Sequence, residues 1–404
     1  MKSIPSSDRI DRVSLSAAEP EQTAQAIVDQ CLDAAFQLRA SDIHIEPNGD
    51  KLIFRMRTDG LLKVWKELPI ELHPQVIARL KILAKMDISD KRRPQDGRFS
   101  QTTKTGVRDC RIATAPMLEG EKAVIRVLHQ DLSQLNIKSI GYSESNLKTY
   151  SELLAKPHGL ILHCGPTGSG KTTALYAAIN QLSKSWRNIQ TIEDPVEGKL
   201  PGVNQAQVNT EIGLTFANIL RSYLRQDCDV ILVGEIRDSE TAQLAVQASL
   251  TGHVVLGTLH TNSGAGTVSR LRDMGVAPFF MASALQGAVS QRLVRRLCKA
   301  CRQPFQPSPE IQRQCNLGPN HQLFQAVGCG QCGKLGYRGR IGIQEVFAVT
   351  PAIREAILAN GSEAELQALA ARNGMRNILM DGVAKAVMGL TTLEEVFKTV
   401  VSEA

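Results

Sequence analysis

Gly165-Pro166-Thr167-Gly168-Ser169-Gly170-Lys171-Thr172 decides the reading of this chain. The stretch fits the phosphate-binding loop pattern, a glycine, four residues, then Gly-Lys-Thr. Gly159-Leu160-Ile161-Leu162-His163-Cys164 leads in and reads as a buried strand. Thr173 to Asn180 leads out and reads as a helix. Strand, Gly-rich loop and helix together are the context the motif needs, and they set it apart from a chance Gly-rich turn. The glycines let backbone N–H groups face a triphosphate, and the helix N-terminus adds positive partial charge. Lys171 is placed to reach the β- and γ-phosphates of ATP, and the Thr172 hydroxyl to bind Mg²⁺.

Outward from the loop, strand and helix alternate from 159 to 275, which predicts a mostly parallel sheet with helices on both faces. Asn188 to Ile192 reads as a short strand ending in the acidic cluster Glu193-Asp194-Pro195-Val196-Glu197. In open α/β sheets that carboxyl-terminal edge is where ligands bind. Asp229-Val230-Ile231-Leu232-Val233-Gly234-Glu235 has the form of a Walker B strand, with Glu235 set to hold Mg²⁺ directly or through water. His253 and His260 bracket the next strand; taken alone, such histidines are more often structural.

Before the loop, residues 1–20 are polar and read as a tail. From residue 21, Ala24, Ile27, Val28, Cys31, Ala35 and Leu38 recur at helical spacing. Strands follow around Ala40–Pro47 and Lys51–Arg57, with turns at Asn48-Gly49 and Asp59-Gly60, and then a helix around Pro74–Met86. The next segment is rich in arginine, from Arg92 and Arg93 to Arg98, Arg108 and Arg111. It is either a solvated basic face or a set of guanidinium groups aimed at a phosphate.

After the alternating region come Cys298-Lys299-Ala300-Cys301 and Cys329-Gly330-Gln331-Cys332. Two Cys-x-x-Cys pairs favour a structural zinc held by Cys298, Cys301, Cys329 and Cys332 over a thioredoxin-like redox pair. The end of the chain reads as helical, with capping-box spacing at Ser362–Glu365 and Thr391–Glu394. The expected layout is a polar tail 1–20, a small α+β (PAS-like) domain 21–128, a linker 129–145, an ATPase core 146–297, a zinc subdomain 298–340 and a helical region 341–404.

Composition narrows the partners. The 404 residues suit about two or three domains. A net charge of +7 permits an anionic partner without naming one, and 4% aromatic residues argue against a base-stacking nucleic-acid binder. No apolar run approaches the ~20 residues of a membrane span, and residues 1–9 lack a signal-peptide core. The expectation is a cytoplasmic protein.

Taken in order, these motifs resemble the ATPases of type II secretion and type IV pilus assembly. Ser41-Asp42-Ile43-His44-Ile45-Glu46-Pro47 and Arg92-Arg93-Pro94-Gln95-Asp96-Gly97-Arg98 are similar to that family's N-terminal signatures. Thr191 to Glu197 resembles its Asp box, and Leu232 to Asp238 its Walker B, which has glycine where many ATPases have aspartate. Thr251 to Asn262 resembles its His box, and Gly328 to Arg340 its second cysteine knuckle.

The resemblance implies a RecA-like core in a homo-hexameric motor, with a flexibly linked N-terminal domain closing over ATP. It implies Glu197 as the residue that polarises the attacking water, with Glu193 beside it, and Glu235 serving Mg²⁺. It implies Arg98 and Arg111 reaching toward the phosphates, and His253 and His260 at the γ-phosphate. It also implies an inner-membrane platform protein as partner, contacted at the cytoplasmic face of the membrane. Many secretion members carry a further N-terminal domain where this sequence shows a short polar tail. A pilus-retraction or DNA-uptake motor is the near alternative, although retraction motors generally lack the paired Cys-x-x-Cys module. A zinc-ribbon nucleic-acid-binding ATPase is the remote one.

Overall fold

The computed structural model describes residues 23–103, 106–127, 132, 135–183 and 186–401. The polar tail 1–20 and part of the expected linker lie outside these residues, as does the side chain of Arg108. Contacts divide the chain into two units, residues 1–130 and 131–404.

The first unit runs α1 (Ala24–Gln37), β1 (Asp42–Asn48), β2 (Lys51–Thr58), β3 (Leu61–Pro69), α2 (His73–Leu83), β4 (Gln95–Thr103), β5 (Gly106–Met117) and β6 (Gly120–Val127). Its six strands form one antiparallel sheet in the order β3-β2-β1-β6-β5-β4. Strand alternation sorts the side chains by face. Ile43, Ile45, Phe54, Met56, Ile112 and Ile125 pack with Ile27, Leu32, Val76 and Leu80 of the two helices. Asp42, His44, Glu46, Arg55 and Arg57 alternate with that apolar set and take the other face.

The second unit opens with α3 (Glu144–Leu154), β7 (Gly159–Cys164), α4 (Lys171–Leu182), β8 (Ile189–Glu193), β9 (Asn204–Gln207), α5 (Phe216–Tyr223), β10 (Val230–Val233), α6 (Ser239–Leu250) and β11 (Val254–Leu259). It continues through α7 (Gly266–Asp273), α8 (Pro278–Ala284), β12 (Leu285–Leu297), β13 (Gln303–Phe305), α9 (Pro309–Gln314), β14 (Leu323–Gln325) and β15 (Tyr337–Ala348). It ends on α10 (Pro351–Leu358), α11 (Glu363–Arg372), α12 (Ile378–Val387) and α13 (Leu393–Val401).

The main sheet has the order β15-β12-β7-β11-β10-β8-β9. All its neighbours are parallel except the β12–β15 pair. Both faces are covered. Leu160, Leu162, Ile231 and Val255 join Leu220, Ala242, Val268 and Ile353 on one side. Ile161, Leu232 and Leu256 join Leu153, Leu175 and Tyr176 on the other. This is why β7, β10 and β11 are buried along their whole length and largely apolar, with His163 and Thr258 as the polar interruptions.

Three local expectations shift. β15 completes the core sheet from residues beyond the cysteine pairs, so the sheet is not closed by 146–297 alone, and residues 341–348 of the expected helical region 341–404 are strand. Within 129–145, Ile137 is buried in the second unit, and Asn180 Nδ2 donates to the carbonyls of Leu132 (2.6 Å) and Leu135 (3.0 Å). Ser362 caps α11 as expected, accepting from Glu365 N at 3.2 Å. The cap of α13 lies one residue later than expected. Thr392 accepts from Glu395 N at 3.3 Å, while the Thr391 hydroxyl donates to the Arg295 carbonyl at 2.8 Å.

Candidate nucleotide site

β7 delivers the chain to the carboxyl-terminal edge of the sheet, and α4 leaves that edge at Lys171. Between them, Gly170 has φ 86° and serves as the N-cap of α4. A Cβ there would stand 2.8 Å from Gln291 Nε2, so both the left-handed backbone and the close approach of β12 call for glycine. Lys171 Nζ donates to the carbonyls of Gly165 (2.6 Å) and Pro166 (3.0 Å), which holds the ammonium over the loop. Burial lowers its pKa from the ordinary 10.5. Thr167, Gly168 and Thr172 are exposed along the loop, and Ser169 is buried beneath it.

Two and three strands away, β10 and β8 end at the same edge. Glu193 is 3% exposed, and three donors engage its carboxylate. Thr191 Oγ1 donates at 2.5 Å, Gln205 Nε2 at 3.1 Å, and the Tyr176 hydroxyl makes the third bond. The same Tyr176 hydroxyl accepts from the Glu197 backbone N–H at 3.3 Å. One tyrosine from α4 thus ties the helix behind the phosphate loop to both acidic residues. The Glu197 side chain is only half-buried.

Gly234 follows β10, and its N–H donates to the Ile192 carbonyl at 2.7 Å. A Cβ on Gly234 would lie 2.9 Å from that carbonyl oxygen and 3.2 Å from Glu193 Cα. This close passage accounts for glycine where an aspartate would stand in many ATPases. The next residue, Glu235, accepts from Arg237 Nη2 at 2.6 Å and faces His260 Nε2 at 3.1 Å. Burial pushes its carboxyl up, but Arg237, His260 and Lys171 together outweigh that and hold it below 4.5. Glu235 therefore stays ionised, as a hard oxygen donor for a divalent cation must.

His260 sits at the end of β11, at this edge. His253 precedes the start of β11, and six residues at about 3.3 Å each put roughly 20 Å between the two ends. The His253 ring lies 2.9 Å from the Ala248 carbonyl. The structure does not bring His253 to the phosphate edge.

In the first unit, register aligns the arginines. Arg98 is directly opposite Arg111, and Arg111 opposite Arg126. Asp42 continues the row, with Arg126 Nε at 3.1 Å and Arg57 Nε at 3.9 Å. Four guanidinium groups and one carboxylate thus form a single row across the sheet, on the face away from the helices.

A family profile described as "Type II/IV secretion system protein" matches residues 17–398. The chain belongs to that family. It is 45% identical over 394 residues to the type II secretion system protein E of Pectobacterium carotovorum subsp. carotovorum, spanning 97% of this chain and 79% of that one. It is 44% identical over 380 residues to the type IV pilus assembly ATPase PilB of Thermus thermophilus, spanning 93% of this chain and 43% of that one.

Among solved structures, the pilus retraction motor PilT with bound ADP is 26% identical with TM-score 0.65, covering 94% of this chain and 97% of that one. The Legionella pneumophila ATPase DotB, at 21% identity, shares the fold with TM-score 0.69 over 98% of this chain and 99% of that one. The secretion-family resemblance read from the motifs therefore holds, as do the RecA-like class and the ATP hydrolase activity.

This secretion-family ATPase also carries the cysteine cluster. The sulfurs of Cys298, Cys301, Cys329 and Cys332 all lie within 4.8 Å of one another. Cys298–Cys329 is 3.9 Å, and Cys301–Cys332 and Cys329–Cys332 are each 3.8 Å. Four thiolates placed tetrahedrally at the usual zinc–sulfur distance of about 2.3 Å would stand about 3.8 Å apart, far from a disulfide's ~2 Å. The Cys329 and Gly336 backbone N–H groups each donate to Cys332 Sγ at 3.2 Å. Burial pushes that thiol up, but these bonds prevail and bring it to about 7. The donor set fits zinc.

Several residues that build the nucleotide edge were not singled out by pattern. Tyr176 sits at core spacing on α4 and reads as an apolar residue. Gln205 on β9 and Gln291 on β12 have no motif of their own. Arg237 lay within the quoted Walker B signature, and its ion pair with Glu235 is two residues away in sequence.

Proposed function

We propose that this ATPase is a homo-hexameric motor that adds pilin-like subunits to a secretion pseudopilus or type IV pilus, at the cytoplasmic face of the inner membrane. The observation that carries this reading is the convergence of Lys171, Glu193, Glu235 and His260 on one sheet edge, in a chain 45% identical to a type II secretion system protein E. The paired Cys-x-x-Cys module supports assembly or secretion over retraction.

At the edge, Gly165 to Thr172 cradle the phosphates and Lys171 neutralises them. Mg²⁺ would be held by Thr172 and Glu235, and it supplies further charge neutralisation. Glu197 orients the attacking water. Glu193, already engaged by three donors, keeps Tyr176 and the Asp-box backbone in place. Arg98 and Arg111 bring positive charge to the transferring phosphoryl group. Phosphoryl transfer depends on such positioning and neutralisation more than on covalent chemistry. Zinc at the four cysteines is structural, since four thiolates leave no open position.

The test is affinity capture from native membranes with a Lys171→Ala trap. Recovery of a polytopic platform protein together with pilins is the expected outcome. Recovery of ribosomes or nucleic acid alone would overturn the assembly reading.

A further inference from the structure

Behind the phosphate loop, a line of buried polar side chains runs to the C-terminal helices. Gln291 on β12 donates its Nε2 to the Ser169 carbonyl at 2.8 Å. Its Oε1 accepts from Gln344 Nε2 at 3.4 Å, and Gln344 is directly opposite it on β15. Gln344 Oε1 in turn accepts from Lys385 Nζ on α12 at 2.9 Å. Lys385 also donates to the Gly342 carbonyl at 2.7 Å and to the Asp381 carboxylate one helical turn before it. Asp381 Oδ2 accepts from Gln344 N at 2.8 Å. Asn146 Nδ2 donates to the Gln344 carbonyl at 2.9 Å and faces Asp381 Oδ1 at 3.4 Å. Gln291, Gln344, Asp381 and Lys385 are all at most 3% exposed.

The direction of this line is forced by chemistry. An ammonium can only donate, so the amide oxygen of Gln344 must face Lys385. Its NH₂ then faces Gln291, so the Gln291 oxygen must turn toward Gln344. The Gln291 NH₂ is left to face Ser169, whose carbonyl can only accept. A cation at one end and a carbonyl at the other fix both amide orientations. The last bond matters for the loop because the peptide unit is planar and trans. Drawing the Ser169 carbonyl back toward β12 points the N–H of the same peptide, that of Gly170, the opposite way, as a phosphate-binding loop requires.

We propose that Gln291 and Gln344 are positioning residues for the phosphate loop, and that the buried Asp381–Lys385 pair makes nucleotide affinity depend on how α12 is seated. The proposal rests on the reading of Gly165 to Thr172 as the nucleotide site. Buried polar networks of this kind are usually satisfied throughout and rigid. Here the network joins a C-terminal helix to the active loop, so a change in the seating of α12 reaches ATP binding without touching the site.

The test uses the full chain. Gln344→Leu removes the middle of the line and leaves Lys385 paired with Asp381 and the Gly342 carbonyl. The Kd for a fluorescent ADP should weaken by roughly three- to tenfold, the range a net hydrogen bond supports. KM for ATP should rise in proportion while kcat stays within about twofold, a split that a loss of stability alone would not give. Gln291→Met should do the same, and it tests the same link if Gln344→Leu does not fold. The double variant should be no weaker than the worse single one, because a line cut once is already cut. Replacing the far pair with apolar side chains, Asp381→Leu with Lys385→Met, should also weaken ADP binding.

Kd and KM within about 1.5-fold of the parent in the folded single variants would overturn the proposal, as would single effects that multiply in the double variant. Lys171→Ala separates the two readings. If it binds ADP like the parent, the loop assignment fails. If it loses ADP while Gln344→Leu and Gln291→Met bind normally, only the relay fails.

Discussion

The two large sheets handle charge in opposite ways. At the edge of the parallel sheet two carboxylates are held by donors: Glu193 by Thr191, Tyr176 and Gln205, and Glu235 by Arg237 and His260. On the face of the antiparallel sheet away from its helices, register sets Arg98, Arg111 and Arg126 side by side, with Asp42 and Arg57 continuing the row. The first arrangement holds its geometry by itself. The second sets guanidinium groups side by side across neighbouring strands, a pattern that suits an anionic ligand. The difference sets residues whose geometry is held by their neighbours apart from residues whose proposed role is to meet an anion.

The largest test of this contrast is on the parallel-sheet edge. Lys171→Ala should lower ATP hydrolysis by about a thousandfold while the circular dichroism spectrum stays that of the parent. Phosphate release measures it, and a variant that keeps even a tenth of the parental rate would break the assignment.

On the arginine row, Arg98→Ala combined with Arg111→Ala should cut turnover by about a hundredfold. The melting temperature should stay near the parent's, which separates a lost role in turnover from lost folding. Full ATPase activity in that variant would reduce the row to a solvated basic face.

The cysteine cluster gathers like groups as the arginine row does, with the sign reversed. Elemental analysis should find one zinc per chain, and Cys329→Ser should lose it and lower the melting temperature by roughly 5 °C. Metal-free protein with an unchanged melting curve would break the parallel.

The smallest effect concerns the balanced part of the antiparallel face. Burial pushes the Glu46 carboxyl up, but Lys122 and Arg55 outweigh it and hold it below 4.5. Because the folded value is depressed, the pair stabilises the protein above that pH, and the contribution fades as the pH falls through the folded value. Glu46→Gln should therefore cost about 1 kcal/mol at pH 7, and its stability should converge on the parent's in acid. Denaturant melts at the two pH values check the sign.

Much of the fold was legible because the buried strands carry their own signal. β7, β10 and β11 are largely apolar runs, each ending where ligand chemistry begins. β15 was not legible as part of the core. It comes after the cysteine module, and nothing in Tyr337 to Ala348 says that it returns to pair with β12. The pairing of Arg98 with Arg111 was equally hidden, because register is decided by the whole hairpin and not by either residue. His253 and His260 look equivalent in sequence, yet strand length alone puts them at opposite ends of β11. Tyr176 and Gln291 were missed because a side chain that holds a site from behind sits at core spacing and resembles packing.

The central claim is that Glu197 acts on water while Glu193 holds the frame. Single-turnover phosphate release in Glu197→Gln tests it most directly, alongside nucleotide affinity in the same variant. Parental affinity with turnover reduced about a hundredfold is the result the account predicts. Turnover at the parental rate would contradict it and move the water-polarising role to Glu193.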